Sequence, residues 1–198
     1  RMTDSWNEHA DGWDDNAAVQ LYASRAFASL DARIDFGRAG WKSRRVLDFG
    51  CGTGLLAEKI APHVHEVMAV DTSEQMVAVL QGKGIRNVTA VHGDILDNDF
   101  ATGERVYSDF DLICASSVCS FLPDYQNAVT ALARLLRPAG HFVQWDWLAS
   151  DGDGFGLSEV QIRDALGRAQ LHNIQVEPAF EIEADGQTLP VLVGFGTL

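Results

Sequence analysis

Three glycines at alternate positions, Gly50, Gly52 and Gly54, separate the apolar run Val46-Leu47-Asp48-Phe49 from a helical pattern that opens at Leu55. Residues without a Cβ at this spacing make a tight turn that a ligand can approach closely. The helix that follows begins with N–H groups that have no partner inside the helix. In an open α/β sheet, ligands sit at the carboxyl ends of the strands, so a nucleotide-like ligand is expected over Gly50–Gly54.

The spacing narrows the choice of nucleotide. A dinucleotide fingerprint needs glycine where Leu55 stands, and a P-loop needs Gly-Lys-Ser/Thr, which occurs nowhere in the chain. Asp48, just before the turn, adds a carboxylate that would repel a pyrophosphate and attract a cation. Burying it without a cationic partner would be costly. An adenosyl sulfonium with an amino-acid tail offers both an ammonium and a positive sulfur. Asp71 lies 17 residues past Gly54, at the end of the next apolar run, Glu66-Val67-Met68-Ala69-Val70. Read alone, Asp71 could cap the start of the next helix.

These residues need elements to hold them. Strands are expected at Val46–Phe49, Glu66–Val70, Val88–Val91, Phe110–Ala115 and His141–Trp145. Helices are expected at Leu55–Ile60, Ser73–Gln81 and Asn127–Leu136, the last stopping before Pro138-Ala139-Gly140. Strand, helix, strand at this spacing means βαβ units and a parallel sheet with right-handed crossovers. The strand runs hardly alternate in polarity, as expected where both faces are covered. Ala149–Ser158 reads as a loop and Leu157–Ala169 as a helix. Ile174–Ile182 and Leu189–Phe195 read as strands joined by a hairpin at Asp185-Gly186. The first 45 residues read as mostly helical, with Trp6, Ala10 and Trp13 on one stripe. The expected fold is a doubly wound, mostly parallel α/β sheet with a C-terminal antiparallel hairpin and an N-terminal helical cap. We expect one domain over 1–198: cap 1–45, cofactor-binding core 46–147, and C-terminal helix and hairpin 148–198.

Composition sets the outer limits. The 198 residues carry 15 Lys+Arg against 28 Asp+Glu, a formal net charge of −13. Residues 1–45 hold seven acids and seven bases, so the whole excess lies in 46–198. Such a chain repels nucleic-acid phosphates and anionic membrane surfaces, so neither is an expected partner. Three cysteines, Cys51, Cys114 and Cys119, with no Cys-x-x-Cys pair, argue against a disulfide framework or a zinc knuckle. A reducing cytoplasm fits them. No metal set is expected from the six histidines; His63 and His65 read as a solvated loop. No signal-peptide pattern stands at the N-terminus, Arg1 ahead of Met2 looks like a cloning remnant, and no apolar run reaches the roughly 18 residues of a membrane span.

With these residues in view, the sequence resembles a class I S-adenosylmethionine-dependent methyltransferase, of the small stand-alone kind that acts on small molecules. The resemblance runs from about Trp6 to Trp147 and is densest at 46–54. It implies a Rossmann-like fold with S-adenosylmethionine as cofactor and S-adenosylhomocysteine as product. It implies that Asp48, Gly50, Cys51, Gly52, Thr53 and Gly54 wrap the methionine moiety and that Asp71 binds the ribose. Thr72 and Met76 would flank the adenosine, and Gly93, Asp94 and Ile95 would meet the adenine, although Asp94 also reads as a plain turn aspartate. Ala115 and Ser116 would floor the sulfonium. Leu136-Arg137-Pro138-Ala139-Gly140 matches the family's Leu-Lys/Arg-Pro-Gly-Gly turn, with Ala139 for the first glycine. Many relatives carry a His-His pair where Cys119-Ser120 stands, so the chemistry of those histidines does not carry over. The Asn/Asp-Pro-Pro-Tyr signature of DNA amino-methyltransferases is replaced by Ala115-Ser116-Ser117-Val118.

The acceptor side is open. Trp13, Tyr22, Phe121, Trp145 and Trp147 are candidates for the substrate pocket, and each also reads as packing. Tyr22, His92 and Asp146 are the candidates for a proton acceptor, none with a diagnostic partner. Methyl transfer needs none: it is an in-line displacement, and alignment supplies much of the catalysis. The expected activity is methyl transfer to a small molecule through N, O, S or C, by a monomer or homodimer. One alternative is a cofactor-binding sensor or partner subunit without catalysis. Another is a nicotinamide-dependent reductase, which would want a Tyr-x-x-x-Lys pair; no tyrosine here has lysine four residues on.

Overall fold

In a computed structural model the chain is described at residues 2–38, 40–97, 100, 107–150 and 154–198. The tip of the expected loop 149–158, residues 151–153, lies outside the described residues, as does Arg1. The chain divides into two compact units, Arg1–Arg105 and Val106–Leu198. The division falls inside the expected cofactor-binding core rather than at either of its edges.

The first unit holds helices α1 (Met2–Asn7), α2 (Ala17–Ile34), α3 (Leu55–Ile60) and α4 (Glu74–Gly82) and strands β1 (Arg45–Phe49), β2 (Glu66–Asp71) and β3 (Val88–His92). β1 pairs in parallel with β2, and β2 with β3, with Asp48 beside Ala69 and Asp71 beside His92. Val46, Leu47, Val67, Ala69 and Val70 are buried, as the unalternating apolar runs require. Asn16 caps α2 by accepting from the N–H groups of Ala18 and Val19, and Ser73 caps α4 by accepting from Met76 N–H.

The expected stripe of Trp6, Ala10 and Trp13 does not lie on one helix. α1 ends at Asn7, Gly12 takes a left-handed φ of 74°, and Trp13–Asp15 form a short 3-10 turn. The chain folds back so that Trp6 and Trp13 still meet, edge to face at 6.1 Å between ring centroids.

The second unit holds β4 (Phe110–Ser116), α5 (Tyr125–Ala133), β5 (Leu136–Trp147), α6 (Glu159–Arg168), β6 (His172–Ala184) and β7 (Gln187–Thr197). β4 and β5 pair in parallel; β5 with β7, and β6 with β7, pair antiparallel. The hairpin turn is the expected Asp185-Gly186, both at positive φ (50° and 74°), joining the opposed pair Ala184 and Gln187. The strand order is β3-β2-β1 in the first unit and β4-β5-β7-β6 in the second. The doubly wound, mostly parallel sheet with a C-terminal antiparallel hairpin is thus the observed fold.

Two boundaries differ from expectation. α5 starts at Tyr125, capped by Asp124, and stops at Ala133, so Leu136 belongs to β5. The turn expected at Pro138-Ala139-Gly140 is part of β5, as an irregularity in which the pairing with β4 shifts between Phe110 and Leu112. Proline has no N–H for the ladder, and Ala139, at φ 63°, donates instead to the carbonyl of Leu198 at 3.0 Å.

Trp145 is the largest fully buried side chain, with 0% exposure. Trp145→Ala is expected to cost about 3–5 kcal/mol, read as a lower midpoint in denaturant unfolding. A change below about 1 kcal/mol would show that the second unit does not depend on this ring.

Candidate functional site

The glycine turn is built from strand ends. Gly50 and Cys51 both donate their N–H groups to the carbonyl of Val70 (2.8 and 3.1 Å), which fastens the turn to β2. Gly50, Gly52 and Gly54 all take positive φ, at 66°, 54° and 83°. Two of them are glycine for different reasons. A Cβ on Gly54 would stand 2.3 Å from Leu80 Cδ1, so this position lets α3 pack close to α4. A Cβ on Gly52 would meet nothing within 4 Å, so neighbouring protein atoms do not demand glycine there. Gly52→Ala should therefore cost the fold only about 1 kcal/mol, for its left-handed φ. It should weaken binding of a ligand on that face by at least about tenfold, as read by titration. An unaltered affinity would show that nothing approaches Gly52.

Asp71 holds the turn from the other side. Its Oδ2 accepts from Gly52 N–H and its Oδ1 from Ser73 N–H, both at 2.8 Å. One carboxylate thus ties the glycine turn to the start of α4. The helix cap is Ser73 rather than Asp71, which braces it through the Ser73 N–H. Burial raises the Asp71 pKa, and the N–H groups of Ser73 and Gly52 draw it partway back.

Asp48 is 1% exposed, and its Oδ2 has no hydrogen-bond partner. Burial, with the Asp71 charge adding to it, pushes its pKa up to about 7, against which the Ala57 N–H acts. The same two carboxylates, after burial, push the Cys51 thiol well up. Two desolvated carboxylates beside an open glycine face are complementary to a cation.

The N-terminal segment closes on this turn through residues that spacing did not single out. Asn7 Oδ1 accepts from Ser73 Oγ at 2.6 Å. Asp14 Oδ1 accepts from Thr53 Oγ1, while its Oδ2 lies 2.7 Å from Lys83 Nζ. Lys83 also pairs with Glu58 at 3.1 Å. These partners stand 66, 39 and 69 residues apart in the first three cases, too far for any local pattern to reveal.

The remaining expected residues of the first unit fall as follows. Met76 is 2% exposed and faces the core. Thr72 is half-buried, and its carbonyl lies 3.1 Å from His92 Nε2. His92 is exposed at the end of β3. Gly93 takes φ 151°, and Asp94, exposed, accepts from Leu96 N–H at 2.9 Å, the turn role already open to it. Ile95 is half-buried. Trp13 is half-buried beside Trp6, and Tyr22 is 7% exposed on the inner face of α2.

In the second unit, Ala115 is buried and Ser116 half-buried at the carboxyl end of β4. Phe121 and Trp147 are half-buried. Trp145 has no exposed surface to offer an acceptor, so its expected pocket role gives way to packing. Asp146 is also fully buried and its two oxygens are taken, by Ser120 N–H (3.0 Å) and Gln144 Nε2 (2.7 Å). As a direct proton acceptor it is therefore closed off. Among the described residues no His/Cys/Asp/Glu group could hold a metal ion, and no helix is long and apolar enough to cross a membrane.

This geometry has counterparts among known proteins. The family described as "Methyltransferase domain" matches residues 47–144. The ubiquinone biosynthesis O-methyltransferase of Alkalilimnicola ehrlichii is 33% identical over 105 residues, covering 52% of this chain and 42% of that protein. The chain thus spans less than half the length of the curated relatives it matches. Among solved structures, the N-methyltransferase NodS of Bradyrhizobium japonicum, in complex with S-adenosyl-L-homocysteine, superposes with a TM-score of 0.70 at 20% identity, covering 98% of this chain and 97% of that one. A SAM-dependent methyltransferase of Aquifex aeolicus gives 0.66 at 20% identity, with 96% and 97% covered. Residues 47–144 thus match the methyltransferase-domain family, and the fold is that of solved S-adenosylmethionine-dependent methyltransferases.

Proposed function

We propose that the protein binds S-adenosylmethionine at the glycine turn and transfers its methyl group to a small-molecule acceptor. The observation that carries this reading is Asp48: a buried carboxylate with an unpartnered oxygen beside a turn whose middle glycine faces open space. A cationic ligand supplies what that oxygen lacks. The residues fit the cofactor. Asp48 would receive its ammonium, and the backbone from Gly50 through Cys51, Gly52 and Thr53 to Gly54 would follow its methionine part. Asp71, with an acceptor lone pair left on each oxygen, would hold the ribose hydroxyls. Thr72 and Met76 would border the adenosine, and Gly93, Asp94 and Ile95 the adenine. When bound, the cofactor supplies a methyl on a sulfonium, which leaves as a neutral thioether.

The acceptor is a small molecule in this reading, and the matched relative's name, an O-methyltransferase, favours a hydroxyl. The acidic balance argues against nucleic acid and membrane as partners. The three free cysteines suit the cytoplasm. The protein would act as a monomer or homodimer, as one methyltransferase domain. Turnover of labelled S-adenosylmethionine over a panel of phenols, amines, thiols and carboxylates tests this. Transfer to one class is the expected result. Tight cofactor binding with no transfer to any of them would favour the cofactor-binding sensor.

A further inference from the structure

The second unit contains a buried polar chain that the proposed chemistry does not use. Tyr125 Oη donates to Gln144 Oε1 at 2.7 Å. Gln144 Nε2 donates to Asp146 Oδ2 at 2.7 Å, and Ser120 N–H donates to Asp146 Oδ1 at 3.0 Å. Gln144 and Asp146 are both 0% exposed. A buried network of this kind is costly unless every member is satisfied, and it then fixes one geometry. What this one fixes is the short turn Cys119–Phe121, which follows the carboxyl end of β4. The Phe121 ring in turn meets Phe155 edge-on at 5.7 Å, and Phe155 is 43% exposed.

We infer that Asp146 is a positioning residue of the acceptor side, holding the Cys119–Phe121 turn, and with it Phe121, through the Ser120 amide. The inference rests on the methyl-transfer reading only for the word acceptor: ligands of such sheets sit at the carboxyl ends of the strands, where this turn stands.

Ser120 N–H can only donate, and Gln144 meets the ionised Asp146 through its amide N–H, so both carboxylate oxygens accept. A protonated Asp146 keeps the same geometry: one oxygen accepts from Ser120 N–H, and its O–H donates to a Gln144 whose amide has turned over. Burial pushes the Asp146 pKa up to about 7, opposed by the hydrogen bonds from Ser120 and Gln144. The titratable groups acting with it are Cys119 on the turn, pushed up by burial and then by the Asp146 charge, and Tyr125 on α5, pushed up by burial, then by Cys119 and then by Asp146. β7 sets apolar Leu192 opposite Asp146. The sign of the shift favours the held turn on the acid side, and this part of the stabilisation is lost as pH rises from about 4 to about 7.

Asparagine at this position can keep the bonds without titrating. Its oxygen accepts from Ser120 N–H, and its amide donates to a Gln144 that has turned its own amide over, with Tyr125 Oη as the next acceptor. Alanine leaves Ser120 N–H and Gln144 Nε2 without partners.

The test compares wild type, Asp146→Asn and Asp146→Ala between pH 5.5 and 8.5. It reads amide exchange at 119–121, S-adenosylhomocysteine affinity, and KM and kcat for any panel acceptor. In wild type, the amides at 119–121 are expected to be protected relative to intrinsic exchange. In Asp146→Asn the protection should stay within about threefold of wild type, and in Asp146→Ala it should fall at least about tenfold. Asp146→Ala should raise the acceptor KM about tenfold, with kcat changed less, and Asp146→Asn should restore it. Cofactor affinity should stay within about twofold throughout. Protected amides at 119–121 in Asp146→Ala, or amides as unprotected in Asp146→Asn as in Asp146→Ala, would overturn the inference, with or without an acceptor in hand. Loss of S-adenosylhomocysteine binding in wild type would instead overturn the methyl-transfer reading and leave the exchange result to decide the role of Asp146.

Discussion

Asp71→Ala is expected to weaken S-adenosylhomocysteine binding by at least about 100-fold, the largest effect of any single substitution in the first unit. Hydrogen bonds to a charged group contribute about 1.5–3 kcal/mol each, and two ribose hydroxyls would lose theirs together. The substitution also releases the N–H groups of Gly52 and Ser73, so the turn and the start of α4 lose their common anchor. Asp71→Asn separates the two roles. An amide keeps one acceptor oxygen and turns a donor toward the other N–H, so it should recover part of the folding stability and little of the affinity. Isothermal titration and thermal unfolding of both variants give the answer. An affinity within threefold of wild type in Asp71→Ala would remove the ribose from this residue.

Asp48→Asn should act in opposite senses on stability and on binding. The folded pKa of Asp48 is raised from 3.8 to about 7, so the folded protein holds this proton more tightly than the unfolded chain. The folded state is therefore favoured at low pH, and this stabilisation is lost as pH rises from about 4 to about 7. Above pH 7 the protein carries the whole cost of a buried charge. Removing the charge should raise the stability of the ligand-free protein at pH 8 by on the order of a few kcal/mol. The difference between variant and wild type should shrink on going down to pH 4. Cofactor affinity should fall roughly 10- to 100-fold, the loss of one charge-assisted contact. In wild type, affinity should rise with pH through about 7 as the carboxylate ionises, and in Asp48→Asn this dependence should flatten. A variant both less stable at pH 8 and unaltered in binding would mean that Asp48 serves the fold and no ligand.

The parts of this molecule legible in the sequence are those set by local rules. The alternating glycines imposed the β1–α3 turn because only glycine takes three positive φ values at such spacing without strain. Asp185-Gly186 imposed the hairpin for the same reason. What stayed hidden depends on distant partners. The irregular start of β5 is closed by Leu198, whose N–H donates to Gly140 at 2.9 Å, and no window around Pro138 contains that residue. Asp14, Asn7 and Lys83 carry no local signal, and the fold sets them against Thr53, Ser73 and Glu58. Asp146 was legible as a carboxylate at a strand end. Only its neighbours show that both of its oxygens are taken. Trp145 shows the same limit: an aromatic at a strand end reads alike whether it faces a pocket or the core, and burial decides it.

The most direct test of the central claim is calorimetric titration of the purified protein with S-adenosylmethionine and S-adenosylhomocysteine at pH 8, where Asp48 is ionised. The expected result is saturable one-site binding of both, weakened in Asp48→Asn and in Asp71→Ala. No detectable heat with either ligand, together with an unchanged unfolding temperature at millimolar ligand, would contradict it.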